Sequence, residues 1–289
     1  MSSEAPALRL GLPKGRMQEG VMKLLADAGI RIHMGSRNYR PVVSMEGIEA
    51  KLLKPQNIVE MLHAGSREIG FAGADWVEEM GVNLVELLDT ELDPVRLVAA
   101  APEEMAPDKR LPARHLVVAS EYENLTKKWI ADREMDASFV HSYGATEVFP
   151  PEDADCIVDN TATGSTLVAN GLVIVDTLMT SSTRLYANPR VLDDPARREI
   201  VDRLLLLLES VMEARRRVML EVNVDREHLE GVIEYLPCMR EPTISTLRGE
   251  TGFAVKAAVP RGDLTKIIPE LKRRGGTDIV VTELSQIIP

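Results

Sequence analysis

The chain has 289 residues, a formal net charge of −11 and 45% hydrophobic residues. That length corresponds to two or three domains of roughly 100–150 residues, and the apolar share is enough to fill their cores. The charge excludes a general nucleic-acid binder, which needs a broad basic face to neutralise phosphates, but leaves room for small anions held at a local site. Aromatic residues at 4% argue against stacking platforms for single strands. Cys156 and Cys238 lie far apart in no CxxC pattern and read as free thiols of a reducing compartment. The opening MSSEAPALRLGL has neither the basic nor the apolar region of a signal peptide. No apolar run approaches the roughly 20 residues of a membrane helix. The expectation is a soluble cytoplasmic protein with no membrane and no nucleic-acid partner.

Short apolar runs alternate with helical patterns, the signature of an α/β fold. Leu8–Leu12 reads as a strand. Arg16–Gly29 reads as a helix with Met17, Val21, Leu24, Leu25 and Ala28 on one face and Gly29 as its stop. Val42–Leu53 reads as two strands around a turn at Glu46-Gly47, Ile58–Ala64 as a short helix and Glu68–Ala72 as a buried strand. Strands follow at Arg96–Ala101 and His115–Ala119, a helix at Glu121–Asp132, and strands at Ser138–His141 and Ala154–Val158. Leu172–Ala187, β-branched and free of Gly and Pro, is a long strand or strand pair able to cross between two lobes. Pro195–Arg217 is a helix, with Ile200, Leu204, Leu208, Val211 and Met212 on the 3.6 period and Pro195 in the first turn. The texture then changes to a strand at Val218–Val224, a helix at Arg226–Tyr235 and strands at Thr243–Leu247 and Phe253–Val259. A helix at Leu264–Arg273 and a strand at Ile279–Thr282 complete a βαββαβ, ferredoxin-like order.

The strongest local motif runs from Asp159 to Leu167, between the predicted strand and a short helix at Leu167–Ala169. Helix-start amides carry partial positive charge. Gly164 lets the backbone approach a phosphate, and Thr161, Thr163, Ser165 and Thr166 add hydroxyl donors. Asp159 is placed to accept hydrogen bonds from a ribose diol. An ordinary Thr-rich helix cap fits the same residues. Neither GxxxxGK nor GxGxxG is present. A second joint, Gly11–Arg16, presents Lys14 and Arg16 at a strand end, where open α/β sheets bind ligands; a short solvated connection is the alternative. In Gly70–Asp75, Asp75 either caps a helix starting at Trp76 or meets a ligand. In Lys54-Pro55-Gln56-Asn57, Asn57 reads as a cap and Lys54 as facing the ligand. His33, His63, His115, His141 and His228 have no metal-ligand spacing, and no nucleophile elbow suggests covalent catalysis. Glu78-Glu79 and Arg215–Arg217 read as solvated faces.

Together these joints resemble the long form of the ATP phosphoribosyltransferase family, the first enzymes of histidine biosynthesis, over nearly the whole chain. The resemblance rests on Leu12–Arg16, Leu53–Ile58, Gly70–Asp75, Tyr143–Glu147 and, most specifically, Asp159–Leu167 followed by Ala169–Leu172. Glu147, Asp159 and Thr163–Leu167 match the family signature. Departures are Glu152-Asp153 in a shorter loop, Asn160 where an aliphatic residue is usual, and Gln56 and Asn57 where relatives carry basic or acidic residues. The resemblance implies a two-lobed α/β core similar to type II periplasmic binding proteins, with one discontinuous lobe of 1–93 plus 181–217 and the other of 94–180. It also implies a C-terminal ferredoxin-like, ACT-like regulatory domain of 218–289 that binds histidine near Asn223, Met239 and Thr243.

By the same resemblance, adenine N1 of ATP attacks the anomeric carbon of phosphoribosyl pyrophosphate (PRPP), and pyrophosphate leaves. The PRPP phosphate lies on Thr161, Ala162, Thr163, Gly164, Ser165 and Thr166. Asp159 holds the ribose hydroxyls, Lys14 and Arg16 face pyrophosphate or ATP phosphates, and Glu147 orients. ATP contacts fall at Lys14, Gly15, Lys54, Gly73 and Asp75. Mg²⁺ is the cofactor, held mainly by substrate phosphates, with no protein metal ligand assigned. Histidine is the implied inhibitor, with AMP as a second candidate effector. A homo-oligomer, dimer and hexamer, is implied, with no separate regulatory subunit. The alternatives are a two-lobed solute-binding protein, a regulatory paralogue, or a phosphoribosyltransferase with another acceptor, since fold alone does not fix function.

Overall fold

In the computed structural model, which describes residues 8–34 and 39–288, the first strand sits inside a sheet rather than at its edge. Strand β1 (Leu8–Pro13) lies between β4 (Ile48–Leu53) and β5 (Ile69–Gly73), and all three are parallel. Parallel strands need helical crossovers, supplied here by α1 (Arg16–Asp27) and α2 (Pro55–His63). Helix α2 begins before the expected Ile58, because Pro55 suits a first turn whose N–H has no partner. The segment Val42–Leu53 is not a hairpin. Its first strand, β3 (Val42–Val43), pairs with β2 (Ile32–His33), while β4 pairs with β1. Helix α3 (Ala74–Met80) follows β5 directly. Most of the opening stretch read for a signal peptide lies outside the described residues.

Two long strands carry the sheet across its middle. Strand β6 (Val85–Pro102) has 18 residues and β10 (Leu172–Ala187) has 16, and they pair antiparallel over nearly their full length. The sequence suggested only Arg96–Ala101 for β6, because Val85–Asp93 is acidic and half exposed, without an apolar run. Its ladder with β10 holds it instead. The ladder is irregular at its centre, where Glu91 and Asp93 have φ of 57° and 48° and the register slips between Ser181 and Thr183. Strand β5 pairs with Thr183–Ala187 on one side of that centre. Strand β9 (Cys156–Thr161) pairs with β6 on the other, and β7 (Leu116–Ser120) and β8 (Ala137–His141) extend the sheet parallel to β9. Helix α4 (Glu123–Asp132) joins β7 to β8, and the short α5 (Ser165–Ala169) joins β9 to β10. The order is β4-β1-β5-β10-β6-β9-β7-β8.

The register places the site. Gly73, the end of β5, is opposite Thr183, and Thr161, the end of β9, is opposite Arg96. The carboxyl ends of both parallel sets therefore point toward the same midline, where open α/β sheets bind ligands.

The chain falls into two compact units. Among the described residues, one holds those up to Lys23 together with those from Ile30 to Asp202, and the other holds Leu24–Gly29 with those from Arg203 onward. The division lies inside α6 (Pro195–Arg216). The physical reason is local. Arg215 bonds Asp27 at 2.9 Å, and the Ser210 carbonyl accepts from Ile287 N–H at 2.9 Å. Arg215 is thus an ion-pair partner rather than a solvated charge. In the second unit, β11 (Arg217–Val224), α7 (Leu229–Ile233), β12 (Thr243–Thr246), β13 (Phe253–Pro260), α8 (Leu264–Arg273) and β14 (Thr277–Glu283) give the βαββαβ order. The sheet order is β12-β13-β11-β14. Alternate residues Val218, Leu220, Val222 and Val224 form a core with Val255, Val259, Ile267 and Leu271. Helix α7 is shorter than expected because Arg226–His228 is a 3₁₀ turn.

The amino ends of β1 and β5 are locked by Glu68, which is 3% exposed. Its carboxylate accepts from Arg9 N–H at 2.7 Å and from Arg9 Nε at 3.0 Å, and Arg197 adds a contact at 3.4 Å. Burial alone would raise this carboxyl, but the Arg9 bonds and both cations outweigh it and hold it below the ordinary carboxylate range. Its contribution is therefore present above the ordinary carboxylate pKa and is lost as pH falls through the depressed value. Glu68→Ala should destabilise the protein by about 3 kcal/mol at pH 7. Urea midpoints of the variant and parent should converge as pH falls below about 4; a gap that persists there would contradict the ion-pair account.

Candidate active site

Three groups on one side of the midline come from strand-to-helix joints. The Lys14 N–H donates to the Leu53 carbonyl at 2.8 Å, and its ammonium lies 3.5 Å from the Tyr39 ring centroid. Gly15 has φ +78° with open space around its Cβ position, so the left-handed turn, not crowding, calls for glycine. Arg16 is exposed and opens α1. Lys54 is exposed at the N-cap of α2. Asn57 does not cap that helix; it lies inside the first turn, and its Nδ2 donates to Glu60 at 3.2 Å.

Gly73 and Asp75 differ from their expected role as open ATP contacts. Asp75 is 2% exposed, and α3 has no side-chain cap. Its carboxylate turns inward, accepting from Ser181 Oγ at 2.9 Å and Tyr122 OH at 2.7 Å. A Cβ on Gly73 would collide with that carboxylate, so glycine there makes room for Asp75. Glu79, read as solvated, is also buried. It caps α4 by accepting from Asn124 and Leu125 N–H, both at 2.9 Å.

Across the midline, Asp159 lies near the carboxyl end of β9, opposite Val98, and the strand continues two residues further to Thr161. Asn160 N–H donates to Asp159 Oδ1 at 2.7 Å. Burial pushes the Asp159 carboxyl up to about 6, with Glu147 and Glu121 adding to the rise and Arg16 opposing it. Glu147 is half-buried in a 3₁₀ turn, Thr146–Val148, entered through Gly144 and Ala145 at φ 106° and 49°. The structure thus brings Asp159, Glu147, Arg16 and Glu121 into one field; only Glu121 was not anticipated, having read as the start of a helix.

The loop after β9 is wound on itself. Thr161 Oγ1 accepts from Gly164 N–H at 2.9 Å, and the Thr163 and Ser165 hydroxyls meet at 3.0 Å. Ala162, Thr163, Ser165 and Thr166 are exposed, while Thr161 and Gly164 are buried. The N-cap of α5 is Gly164, which has no side chain to cap with, and the Thr163 hydroxyl accepts from Ser165 N–H at 3.4 Å. Gly164 has φ +85°, and its Cβ position faces Ile174 at 3.9 Å. The left-handed backbone there calls for glycine.

Sequence reasoning missed a buried polar group behind this site. Tyr122, with no exposed surface, stacks on Trp76 at 4.5 Å between ring centroids, and its hydroxyl accepts from Asn160 Nδ2 at 2.9 Å. Only the position of Asn160, out of pattern beside Asp159, hinted at it. Among the described residues no three His, Cys, Asp or Glu side chains stand together as a metal site. No helix among them is long and apolar enough to cross a membrane.

In the second unit, Met239 and Thr243 line an open cavity of about 580 Å³ with Met219, Cys238, Arg240 and Lys256. Asn223 is not in its lining. Its amide donates to Asp278 at 3.1 Å, further along β11.

Comparison with known proteins agrees along the chain. The model of the ATP phosphoribosyltransferase family matches residues 54–210, and that of the HisG C-terminal domain matches residues 214–286. An ATP phosphoribosyltransferase of Chlorobium luteolum is 37% identical over 295 residues, covering 100% of both chains. One from Pelotomaculum thermopropionicum is 36% identical, covering 98% of this chain and 99% of the relative. A solved structure, the ATP phosphoribosyl transferase (HisG:HisZ) complex from Thermotoga maritima, has a TM-score of 0.61 at 26% identity. That match covers 70% of this chain and 98% of the solved one. With both parts present in one polypeptide, the chain belongs to the ATP phosphoribosyltransferase family.

Proposed function

We propose that the chain transfers the phosphoribosyl group of PRPP to N1 of ATP, the first step of histidine biosynthesis, in the cytoplasm. The N1 lone pair forms the bond to the anomeric carbon as the carbon–oxygen bond breaks and pyrophosphate takes that electron pair. N1 carries no proton to remove, so the step needs no strong base. The chain's task is to orient two polyanions and balance the charge of an oxocarbenium-like transition state. The observation that carries this reading is that Asp159, within the electrostatic reach of Arg16 and Glu147, stands where the carboxyl ends of two strand sets converge.

In this reading the exposed Thr163, Ser165 and Thr166 hydroxyls and neighbouring amides take the PRPP 5′-phosphate. Asp159 accepts from the ribose hydroxyls and stabilises the cationic sugar. Arg16, Lys14 and Lys54 receive the pyrophosphate and ATP phosphates. Mg²⁺ would be held mainly by the oxygens of the polyphosphate substrates, with no residue of this chain assigned as its ligand, and would supply charge neutralisation of the leaving pyrophosphate. Histidine, with AMP as a further effector, inhibits from a distance. We place histidine in the cavity beside Met239 and Thr243, with Asn223 outside it. The active form is a homo-oligomer, dimer or hexamer. A regulatory domain within the same chain removes the need for a separate regulatory subunit.

Purified protein given ATP, PRPP and Mg²⁺ should release pyrophosphate in step with an N1-ribosylated ATP; no pyrophosphate release would refute the proposal. Turnover should fall as pH drops through about 6, because a carboxyl raised to that value is protonated below it. Asp159→Ala should lower kcat about 100-fold or more and remove that acid limb; an unchanged rate would take Asp159 out of the site. Gly164→Val should weaken PRPP binding about 10- to 100-fold by displacing the loop, while leaving the fold intact; parental affinity measured by calorimetry would sink the loop assignment. Thr243→Leu should raise the histidine concentration for half inhibition about tenfold without changing kcat. Unaltered inhibition would place the effector elsewhere.

A further inference from the structure

We propose that Asn160 is a positioning residue for Asp159, fixed by a hydrogen-bonded chain that begins at buried Asp75 and passes through Tyr122. The inference rests on the reading of Asp159 given above. It starts from a costly feature, a carboxylate that is 2% exposed in the protein interior. Such a group is expensive to bury unless hydrogen bonds satisfy it. Ser181 Oγ at 2.9 Å and Tyr122 OH at 2.7 Å donate to its two oxygens, and Ser181 Oγ in turn accepts from Asp75 N–H at 3.1 Å. Asp75 comes from the joint after β5, Ser181 from the irregular centre of β10, and Tyr122 from the joint after β7. The group therefore ties both strand sets to the midline.

The direction of each bond follows from the first. Burial, then the charge of Asp75, raises the Tyr122 phenol far above its ordinary range, so it keeps its proton. That single proton is given to Asp75, which leaves the phenol oxygen only as an acceptor. Asn160 must then present its NH₂ rather than its carbonyl oxygen, and its Nδ2 lies 2.9 Å away. Neighbouring strand residues point to opposite faces. Asn160 is thus anchored behind the strand while Asp159 faces the other way. With the side chain fixed, the Asn160 N–H is aimed at Asp159 Oδ1 at 2.7 Å. The charged groups facing Asp159 are Glu147 from the 3₁₀ turn, Glu121 from the segment before α4 and Arg16 from α1. Two of these three repel it, so a fixed amide donor opposes their effect and favours one rotamer.

The test uses the full-length protein with Asn160→Leu, Tyr122→Phe and the double variant, assayed for kcat, KM for PRPP and the pH dependence of kcat. Tyr122→Phe removes only the relaying hydroxyl, so the pair remains decisive if one variant fails to fold. Each folded variant should lose about tenfold in kcat with KM for PRPP changed much less. The acid limb should move to higher pH, because the loosened amide no longer favours the ionised carboxylate. The double variant should be no slower than the slower single one, since both break the same chain. Unchanged kcat and an unmoved acid limb in folded Asn160→Leu would overturn the proposal, as would losses that multiply in the double variant. Asp159→Ala separates the two readings. If it loses activity and Asn160→Leu does not, only the positioning role fails. If it retains activity, the assignment of Asp159 fails and the positioning role with it.

Discussion

The antiparallel pairing of β6 with β10 runs through both halves of the eight-stranded sheet, and most other features of the first unit take their place from it. Each half is a small parallel set, the two sets run in opposite directions, and no strand of one is bonded to a strand of the other. The long pair links them, with β10 as the antiparallel neighbour of β5 on one side and β6 that of β9 on the other. A consequence is that both sets end at the same midline. Six strand ends, with their helix-start amides and connecting loops, then face one region. The loosened centre of the ladder, with two non-glycine residues at positive φ, is where Ser181 reaches Asp75.

Much of this was legible in the sequence, for identifiable reasons. Leu172–Ala187 has no breaker and forms a strand with those same bounds. The 3.6 period of Ile200 to Met212 marks α6, and the alternation of Val218 to Val224 marks β11. The first half of β6 was not legible, because Val85–Asp93 is held by ladder bonds rather than by an apolar pattern. Nor were the pairing partners of β3 and β4, which depend on contacts distant in sequence. At the site, the joints carrying Lys14, Arg16, Glu147 and Asp159 stood out because turns and strand ends leave local signatures. The inward rotation of Asp75 did not, since cap, ligand contact and buried acceptor share the same residue type at the same joint.

The acidity of the chain acquires a specific meaning from the site. The tail from Val218 onward has 9 basic and 11 acidic residues, so the remainder carries −9 and is no basic funnel for polyanions. Asp159, Glu121 and Glu147 add further negative charge where PRPP is proposed to react. Such a field suits a sugar that becomes cationic while its phosphates are neutralised locally, as proposed above, by amides, hydroxyls and a few cations. A carboxyl raised to about 6 is the cost of placing Asp159 there.

The central claim is that strand ends from both halves of the sheet form one substrate site. Hydrogen exchange of the full-length protein with and without Mg²⁺ and PRPP tests it most directly. The account predicts that PRPP slows exchange at the amides of Thr163–Leu167 and, at the same ligand concentration, at those of Gly15–Met17. Protection confined to one of the two segments at saturating PRPP would contradict it.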